Sequence, residues 1–174
     1  PGFYIDRYEY NNTKGQAPVA GVSHARAAEL CADQGKRLCT AQEWEKACKG
    51  WKNSIYSYGD SFDPEVCGPD INAAYNSGDR TLCRSDYAVY DMSGGFQEWT
   101  ATPSSEGEGR YLVKGGVRGE WSGDASVEQR LRVERGYRCA YTIDRANAAP
   151  SGQLSFRCCQ SPPDAGAAEG DAQE

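Results

Sequence analysis

Apolar and polar residues alternate over the first ten positions of the chain, which is the pattern of a half-buried β-strand. Phe3 and Ile5 would lie on one face of this strand, and Tyr4 and Asp6 on the other. A turn-like stretch rich in Asn and Gly follows. Segment 3–10 is therefore predicted to be a strand.

Two helices are predicted next. Ser23 is a suitable N-cap for the first, which carries small and apolar residues at helical spacing as far as Cys31, and Gly35 ends it. Thr40 begins the second helix, and Glu43 three residues later completes a capping box. The inward stripe of the second helix comprises Trp44, Ala47 and Cys48, and Gly50 stops it.

The remainder of the chain shows weaker periodicity. Segment 51–90 is rich in Gly, Asp, Asn, Tyr and Pro, and an irregular stretch of this length is usually functional or held by a metal or disulfide. Short strands are predicted at 111–116, 136–141 and 153–159. The sequence thus predicts an α+β fold with two early helices, short strands and much irregular structure.

Length and composition define the organisation and exclude some partners. Residues 1–159 form one domain large enough to bury a core, and residues 160–174 are predicted to be a disordered acidic tail. The net charge of -6 argues against nucleic acid, which needs a basic face. No apolar run reaches membrane-spanning length, so no transmembrane segment is expected.

The chain has 8 cysteines, scattered rather than paired at metal-ligand spacing. This pattern favours disulfides in an oxidising compartment: the periplasm, the cell surface or the secreted medium. A zinc site is disfavoured because only His24 could assist the thiolates. Cys158 and Cys159 are adjacent, so each needs its own partner. The alternative is that one or two thiols stay free.

Four separated segments together point to a known family. They are FYIDRYEY at 3–10, GKRLCTAQEWEKA at 35–47, DMSGGFQEWT at 91–100 and SFRC at 155–158. In order and approximate spacing they resemble the signature of the formylglycine-generating enzyme (sulfatase-modifying factor) family, over about residues 3–159. The resemblance implies a C-type-lectin-like fold.

The resemblance also implies a disulfide arrangement. Family members commonly tie the two early helices to C-terminal strands, which implies Cys31–Cys158 and Cys48–Cys139. Cys39 follows Cys31 closely, as Cys159 adjoins Cys158, so a parallel Cys39–Cys159 bridge is expected. Cys67 and Cys83 would then close the irregular segment on itself.

The catalytic cysteine pair of the family is missing. In the enzymes this pair binds copper and activates oxygen, and soft thiolates are what Cu(I) requires. Aligning on Cys139 places the two positions near Gln129 and Glu134, and residues 116–138 contain no cysteine. The resemblance therefore implies a fold more strongly than an activity. The enzyme alternative is a metal-dependent oxidase with displaced ligands, either a formylglycine generator in which Cys139 serves as a ligand or a non-heme oxygenase.

Other acid–base chemistry has little support. His24 is the only histidine, and at a helix start it is interpreted as a capping or packing residue. The acids at Asp6, Glu9, Glu43 and Glu45 are interpreted as structural ion-pair partners, with Arg37 and Arg157 as candidate cations.

Unlike the catalytic cysteines, the residues with which the family binds Ca²⁺ have counterparts in this sequence. Ca²⁺ binding needs hard oxygen ligands on a tight loop. The resemblance implies a first site at Asp91, Gly94, Phe96 and Glu98. It implies a second, weaker site at Asn72 and Ala73, with Asp79 or Asp86 as the acid. The alternative is that hydrogen bonds alone hold the first loop.

A recognition surface is predicted where the catalytic loop ought to be. Trp121, flanked by Arg118 and Glu120, is the best candidate for an exposed recognition aromatic. Further aromatics between residues 51 and 90 belong to the core or to a ligand-binding face. The leading hypothesis is a non-catalytic, disulfide-stapled, calcium-stabilised extracytoplasmic module, binding or structural, that contacts another protein or a glycan. A further alternative is a ligand-displaying protein with its variation between residues 116 and 138.

Overall fold

A computed structural model of the chain describes residues 2–68, 75–116, 123–147 and 151–163. The helices are α1 His24–Ala32, α2 Ala41–Lys49, α3 Pro64–Cys67 and α4 Val127–Tyr137. The strands are β1 Tyr4–Ile5, β2 Arg37–Leu38, β3 Gln97–Pro103, β4 Arg110–Lys114, β5 Ile143–Ala146, β6 Leu154–Phe156 and β7 Cys158–Gln160. The α+β class expected from the sequence is confirmed.

The described strands form two sheets that meet at one residue. The smaller sheet has the order β1-β7-β2, with antiparallel pairs. The larger has the order β5-β4-β3-β6, in which only β3 and β6 run parallel. Since β6 ends at Phe156 and β7 begins at Cys158, Arg157 alone passes from one sheet to the other.

The first two helices begin where their caps predict. The Ser23 side chain accepts a hydrogen bond from the N–H of Arg26 at the start of α1. At the start of α2, the Thr40 hydroxyl and the Glu43 carboxylate form the expected capping box. Trp44, Ala47 and Cys48 are buried, so the predicted inward stripe of α2 is confirmed.

The strand predicted at 3–10 is much shorter in the structure. Only Tyr4 and Ile5 belong to β1. Asp6 still donates its N–H to Cys158, but its own carbonyl accepts from the Arg157 side chain and the carbonyl of Arg7 accepts from the N–H of Tyr90. The regular pairing with β7 thus ends after Asp6, and Tyr10 then donates its N–H to Phe156 of β6.

The strand predicted at 136–141 is wrong, because Gly136 and Tyr137 complete α4. Ser126 accepts from the N–H of Gln129, whose side chain accepts from the N–H of Ser126, so a capping box starts this helix. Gly136 and Tyr137 are buried with Val133, as the inward face of a helix requires.

Four disulfides join the distant parts of the chain. They are Cys31–Cys158, Cys39–Cys159, Cys48–Cys139 and Cys67–Cys83, the same pairs as those expected from the sequence. The longest bridge, Cys31–Cys158, joins two cysteines that are 127 positions apart in the sequence. In the chain-entropy account a loop of this size stabilises the fold by roughly 4–5 kcal/mol, less any strain.

Two further expectations concern the chain ends and membranes. Gln160 belongs to β7, so the last strand extends one residue past the predicted domain boundary. Residues 164–174 of the predicted tail lie outside the described part of the chain. Within the described part, no helix combines the length and apolar character needed to cross a bilayer.

Candidate functional site

A buried arginine lies at the junction of the two sheets. Arg157 has 0% of its surface exposed, and its guanidinium donates to both carboxylate oxygens of Glu98 at 2.7 Å each. The remaining donors reach the backbone carbonyls of Asp6, Arg7 and Tyr90 at 3.1, 3.4 and 3.1 Å. Arg157 thereby ties β3 to the end of β1 and to the irregular segment.

Glu98 is fully engaged by its neighbours. In addition to Arg157, it accepts a hydrogen bond from the indole N–H of Trp44 at 2.8 Å. Trp44 also lies beneath Lys114, whose Nζ is 5.7 Å from the ring centroid and 3.1 Å from Glu45. Glu98 therefore joins α2 to β3 through a bidentate ion pair and an indole hydrogen bond.

Two more buried carboxylates belong to the same cluster. One Glu9 oxygen accepts from the Ser77 hydroxyl at 2.6 Å, and the other has no hydrogen-bond partner among the described residues. Asp91 accepts from the backbone N–H of Gly78 at 2.6 Å. Glu9 is 0% and Asp91 1% exposed. Neither carboxylate therefore has bulk water to stabilise its charge.

Burial shifts the titration of both acids. It raises the pKa of Glu9 to about 8; the Asp91 carboxylate adds to the rise and Arg157 opposes it. Burial likewise raises the pKa of Asp91 to about 6, against a lowering by its hydrogen bond from Gly78. Both shifts have the same physical origin, since the charged forms are poorly solvated in this cluster.

The cluster carries more negative than positive charge. Glu9, Asp91 and Glu98 interact with a single guanidinium, that of Arg157. Three ionised carboxylates and one guanidinium would leave two uncompensated charges, and buried charge of this kind is costly. The cluster must therefore take up protons or a cation.

Glycines let the loop between Asp91 and β3 pack tightly. Gly95 has φ +65°, and a Cβ at this position would lie 2.5 Å from the Tyr75 hydroxyl oxygen. A Cβ on Gly116 would lie 2.6 Å from the Cα of Gly94. A side chain at either position would displace its neighbours. The loop therefore needs glycine at 95, and the residue packed against the loop at 116 must also be glycine.

The first predicted calcium site falls on this loop. The structure places Asp91 and Glu98 together around Arg157, and Gly94 and Phe96 lie between them in the chain. The excess negative charge and the unpartnered Glu9 oxygen fit a bound cation. The Glu98 oxygens are already held by hydrogen bonds, so Glu98 fits only as a shared ligand. The described residues contain no ready-made group of three or more His, Cys, Asp or Glu ligands.

The two acids proposed for the second calcium site have separate partners. Asp79 accepts from the side-chain amide of Asn76 at 3.1 Å. Asp86 pairs with Lys52 at 3.2 Å. Residues 72–73, the other half of that site, lie outside the described residues, as do the predicted recognition residues within 117–122.

The positions that align with the catalytic cysteines have structural roles. Gln129 completes the capping box of α4. Glu134 pairs with Arg138 at 3.1 Å and accepts from the Tyr56 hydroxyl at 3.5 Å. Since the four bridges use all 8 cysteines, the chain has no free thiol.

His24 serves as a packing residue, one of the two roles predicted for it. Its ring is buried, lies 3.4 Å from the Tyr111 ring in a stacked arrangement and contacts the Thr100 carbonyl at 3.0 Å. Burial lowers its pKa. Among the aromatics of the irregular segment, Tyr56 is core, whereas Trp51 is 66% and Tyr87 47% exposed.

Sequence reasoning missed the irregular segment's share of the buried cluster. Glu9 was assigned only a structural ion pair, and Ser77 and Gly78 carried no assignment. No local pattern marks these two residues, because they reach Glu9 and Asp91 only when the segment folds back. A turn-forming Asn-Ser-Gly-Asp stretch is the only signal.

Comparison with known proteins gives a consistent match. The family profile described as the sulfatase-modifying factor enzyme 1-like domain matches residues 5–162. The chain is 32% identical over 155 residues to the inactive C-alpha-formylglycine-generating enzyme 2 of Bos taurus. That alignment covers 81% of this chain and 49% of the bovine protein. The chain thus spans about half the length of this relative.

Solved structures confirm the fold. PvdO from Pseudomonas aeruginosa superposes with a TM-score of 0.62 at 15% identity, over 92% of this chain and 80% of that one. The Treponema denticola variable protein 1 gives a TM-score of 0.62 at 14% identity, over 88% and 76%. At such identities the likeness concerns the fold alone, and the expected C-type-lectin-like, sulfatase-modifying-factor fold is confirmed.

Proposed function

The chain belongs to the sulfatase-modifying factor enzyme 1-like domain family, and within that family we propose that it is a non-catalytic binding or structural module. One observation carries the proposal: all 8 cysteines are bound in disulfides. The copper chemistry of the family's enzymes needs two thiolates. Here one of the two aligned positions is a helix-capping Gln129 and the other an ion-paired Glu134.

The similar bovine protein supports this proposal, since its name describes an inactive formylglycine-generating enzyme. The four disulfides further support an oxidising location outside the cytoplasm. We assign the module to the periplasm, the cell surface or the secreted medium.

Calcium is the proposed stabilising ion. Asp91 and Glu98 would supply carboxylate oxygens and Gly94 and Phe96 backbone carbonyls, while the ion would neutralise the excess charge of the cluster. The support is the buried charge imbalance around Arg157 and the unpartnered Glu9 oxygen. Hard oxygen donors of this kind suit Ca²⁺ better than a softer metal.

The proposed partner is another protein or a glycan. Arg118, Glu120 and Trp121 would contact it, in the segment where the family's enzymes have their catalytic loop. A tryptophan next to residues of opposite charge can offer both apolar area and hydrogen-bonding groups to a ligand. Trp121→Ala is expected to weaken partner binding while leaving the melting temperature nearly unchanged.

A direct assay tests the non-catalytic proposal. Purified protein is incubated with Cu(I), oxygen and a sulfatase-type Cys-x-Pro-x-Arg peptide, and the peptide is weighed by mass spectrometry. The peptide mass should stay unchanged, because no thiolate is available to bind copper. A formylglycine-generating enzyme run in parallel is the positive control. Conversion of the peptide cysteine to an aldehyde by this chain would establish the oxidase alternative instead.

A further inference from the structure

Among the described residues, no strand pairs with the outer edge of β1. Asp6 donates its N–H to Cys158 of β7, so in an antiparallel pair the residues two positions apart from it, such as Tyr4, face β7 as well. The backbone groups of Phe3 and Ile5 must then point away from β7. No hydrogen bond to a described residue satisfies the N–H of either one.

The free part of this edge ends before Arg7, where another part of the chain is hydrogen-bonded. The carbonyl of Arg7, two residues beyond the end of β1, accepts the N–H of Tyr90 at 2.9 Å and the Arg157 guanidinium at 3.4 Å. The segment that contains Tyr90 therefore lies next to the chain just beyond β1. At residues 3–5 the edge faces a groove instead of a strand.

This groove has about the size of a short extended segment. Its volume is about 480 Å³, and its walls are the edge of β1, the exposed side of α2 and the turn at 87–89. At roughly 3.3 Å per residue, the free edge from Phe3 to Ile5 matches about three residues of an added strand. Tyr4, 61% exposed, and Tyr87, 47% exposed, border the groove and offer apolar contact.

The positively charged residues around the groove favour an acidic ligand. Arg7 and Lys46 line it, and none of the described lining residues is acidic. Neither cation has an ion pair with a described residue; Lys46 only lies over the Tyr87 ring, 5.9 Å from its centroid. Such a concentration of unpaired positive charge is notable in a chain of net charge -6.

We propose that an extended acidic segment of a partner protein binds in this groove by adding a strand to the open edge of β1. Its backbone pairs with Phe3 and Ile5, and its carboxylates contact Arg7 and Lys46. Backbone pairing supplies affinity, and the two cations supply the preference for acidic side chains. None of the residues that line the groove belongs to the calcium loop or to segment 117–122, so the proposal does not depend on calcium binding or on the predicted recognition residues.

A labelled peptide of alternating Glu and Val tests the proposal. Binding is followed by fluorescence anisotropy at low salt and by the amide NMR signals of Phe3 and Ile5. The peptide should bind, shift both signals and slow their hydrogen exchange. The charge reversals Arg7→Glu and Lys46→Glu together should weaken binding about tenfold or more. Arg132→Glu is the matched control, because Arg132 is an exposed cation on α4; it should leave affinity unchanged.

Two altered peptides separate strand addition from charge attraction. N-methylation of consecutive central amides removes the backbone donors and should abolish binding while keeping the carboxylates. Replacing Glu with Lys keeps the backbone and should abolish binding as well. The proposal is overturned if the N-methylated peptide binds equally well, if Phe3 and Ile5 do not respond, or if no peptide binds. The proposal is also overturned if two copies of this chain dimerise through β1, because the second copy then occupies the groove instead of an acidic partner.

Discussion

At the scale of single residues, the pairing of Arg157 with Glu98 is the interaction on which the buried cluster depends. The sequence pointed to Arg157 as an ion-pair cation but offered Asp6, Glu9, Glu43 and Glu45 as its partners. The structure pairs it with Glu98, which had been assigned to calcium. Both residues are 0% exposed, so neither charge can be solvated if the other is lost.

The cost of breaking this pair is predictable. Glu98→Gln keeps the shape of the side chain but removes the charge of the one carboxylate that is hydrogen-bonded to Arg157, and an amide cannot accept at both positions. We expect the free energy of unfolding to fall by about 3–5 kcal/mol, measured by urea denaturation. Adding Arg157→Met should cost less than the sum of the single changes, because both charges are then gone. A loss below about 1 kcal/mol for Glu98→Gln would mean that the pair is solvated.

Glu9 gives a prediction about pH. Its pKa is about 8 in the folded protein, above the ordinary value of 4.5. The folded state thus binds the proton more tightly, and this contribution to stability is complete below about pH 4.5 and lost as the pH rises through about 8. Glu9→Gln stays neutral, so its unfolding free energy relative to the parent should rise between pH 5 and pH 9, by a few kcal/mol.

The measurement is chemical denaturation at several pH values with a chelator present, so that no bound cation replaces the proton. Asp6→Asn is a suitable control. Asp6 is also a buried acid, but it pairs with Lys36 at 2.6 Å. Parallel pH profiles for the parent and Glu9→Gln would show that Glu9 is ionised in the folded protein without cost.

At the scale of elements, the helices illustrate when local signals suffice. α1 and α2 were predicted because a cap, a periodic apolar stripe and a terminating glycine coincide. α4 carries a capping box too, at Ser126 and Gln129. It was missed because its apolar stripe is thin, with only Val133, Gly136 and Tyr137 buried, and its last two residues were included in a predicted strand.

The central strand β3 was missed for a different physical reason. Residues 97–100 are all buried, so the segment shows no alternation of polar and apolar positions. β3 pairs with β4 on one edge and with β6 on the other, and helices cover both of its faces: Trp99 packs against Ala27 of α1, and Glu98 accepts from Trp44 of α2. Polar residues such as Gln97 and Thr100 are tolerated there because each has a hydrogen-bond partner.

Removing a cap should act on its own helix. Ser126→Ala deletes the acceptor for the N–H of Gln129, and we expect a loss of about 1 kcal/mol in unfolding free energy. Hydrogen exchange should accelerate at the start of α4. The matched change Thr40→Ala should instead affect α2. Equal acceleration in both helices for either variant would show that the two unfold as one unit.

At the scale of the whole molecule, the cysteines could be predicted and the charge cluster could not. The family resemblance supplied two bridges, and the spacing of the remaining cysteines supplied the others. The buried cluster combines residues from the segment after β1, the irregular segment with the loop that follows it, β3 and the link between the two sheets. Its geometry arises only after these elements pack, so no local pattern reports that Glu9 and Asp91 share one arginine.

The last prediction joins the cluster to the stability of the whole domain. If Ca²⁺ binds at Asp91, a chelator should lower the melting temperature, and a hundredfold excess of Ca²⁺ over its Kd should stabilise the fold by about 2.7 kcal/mol. Asp91 has φ +64°, so Asp91→Gly removes the carboxylate without straining the backbone. This variant should lose the response to chelator, whereas Asp91→Asn, which keeps an oxygen ligand and tolerates the same φ, should retain part of it.

Differential scanning calorimetry with and without chelator measures the effect, and Mg²⁺ in place of Ca²⁺ tests selectivity. Mg²⁺ requires near-ideal octahedral geometry and gives up its waters reluctantly, so it should stabilise the fold less. Bound Ca²⁺ would lower the pKa of both Glu9 and Asp91, because a nearby cation favours the ionised form of a carboxylate. The pH dependence assigned to Glu9 should therefore weaken when Ca²⁺ is added. If chelation leaves the melting curve unchanged in the parent protein, protons rather than Ca²⁺ balance the cluster.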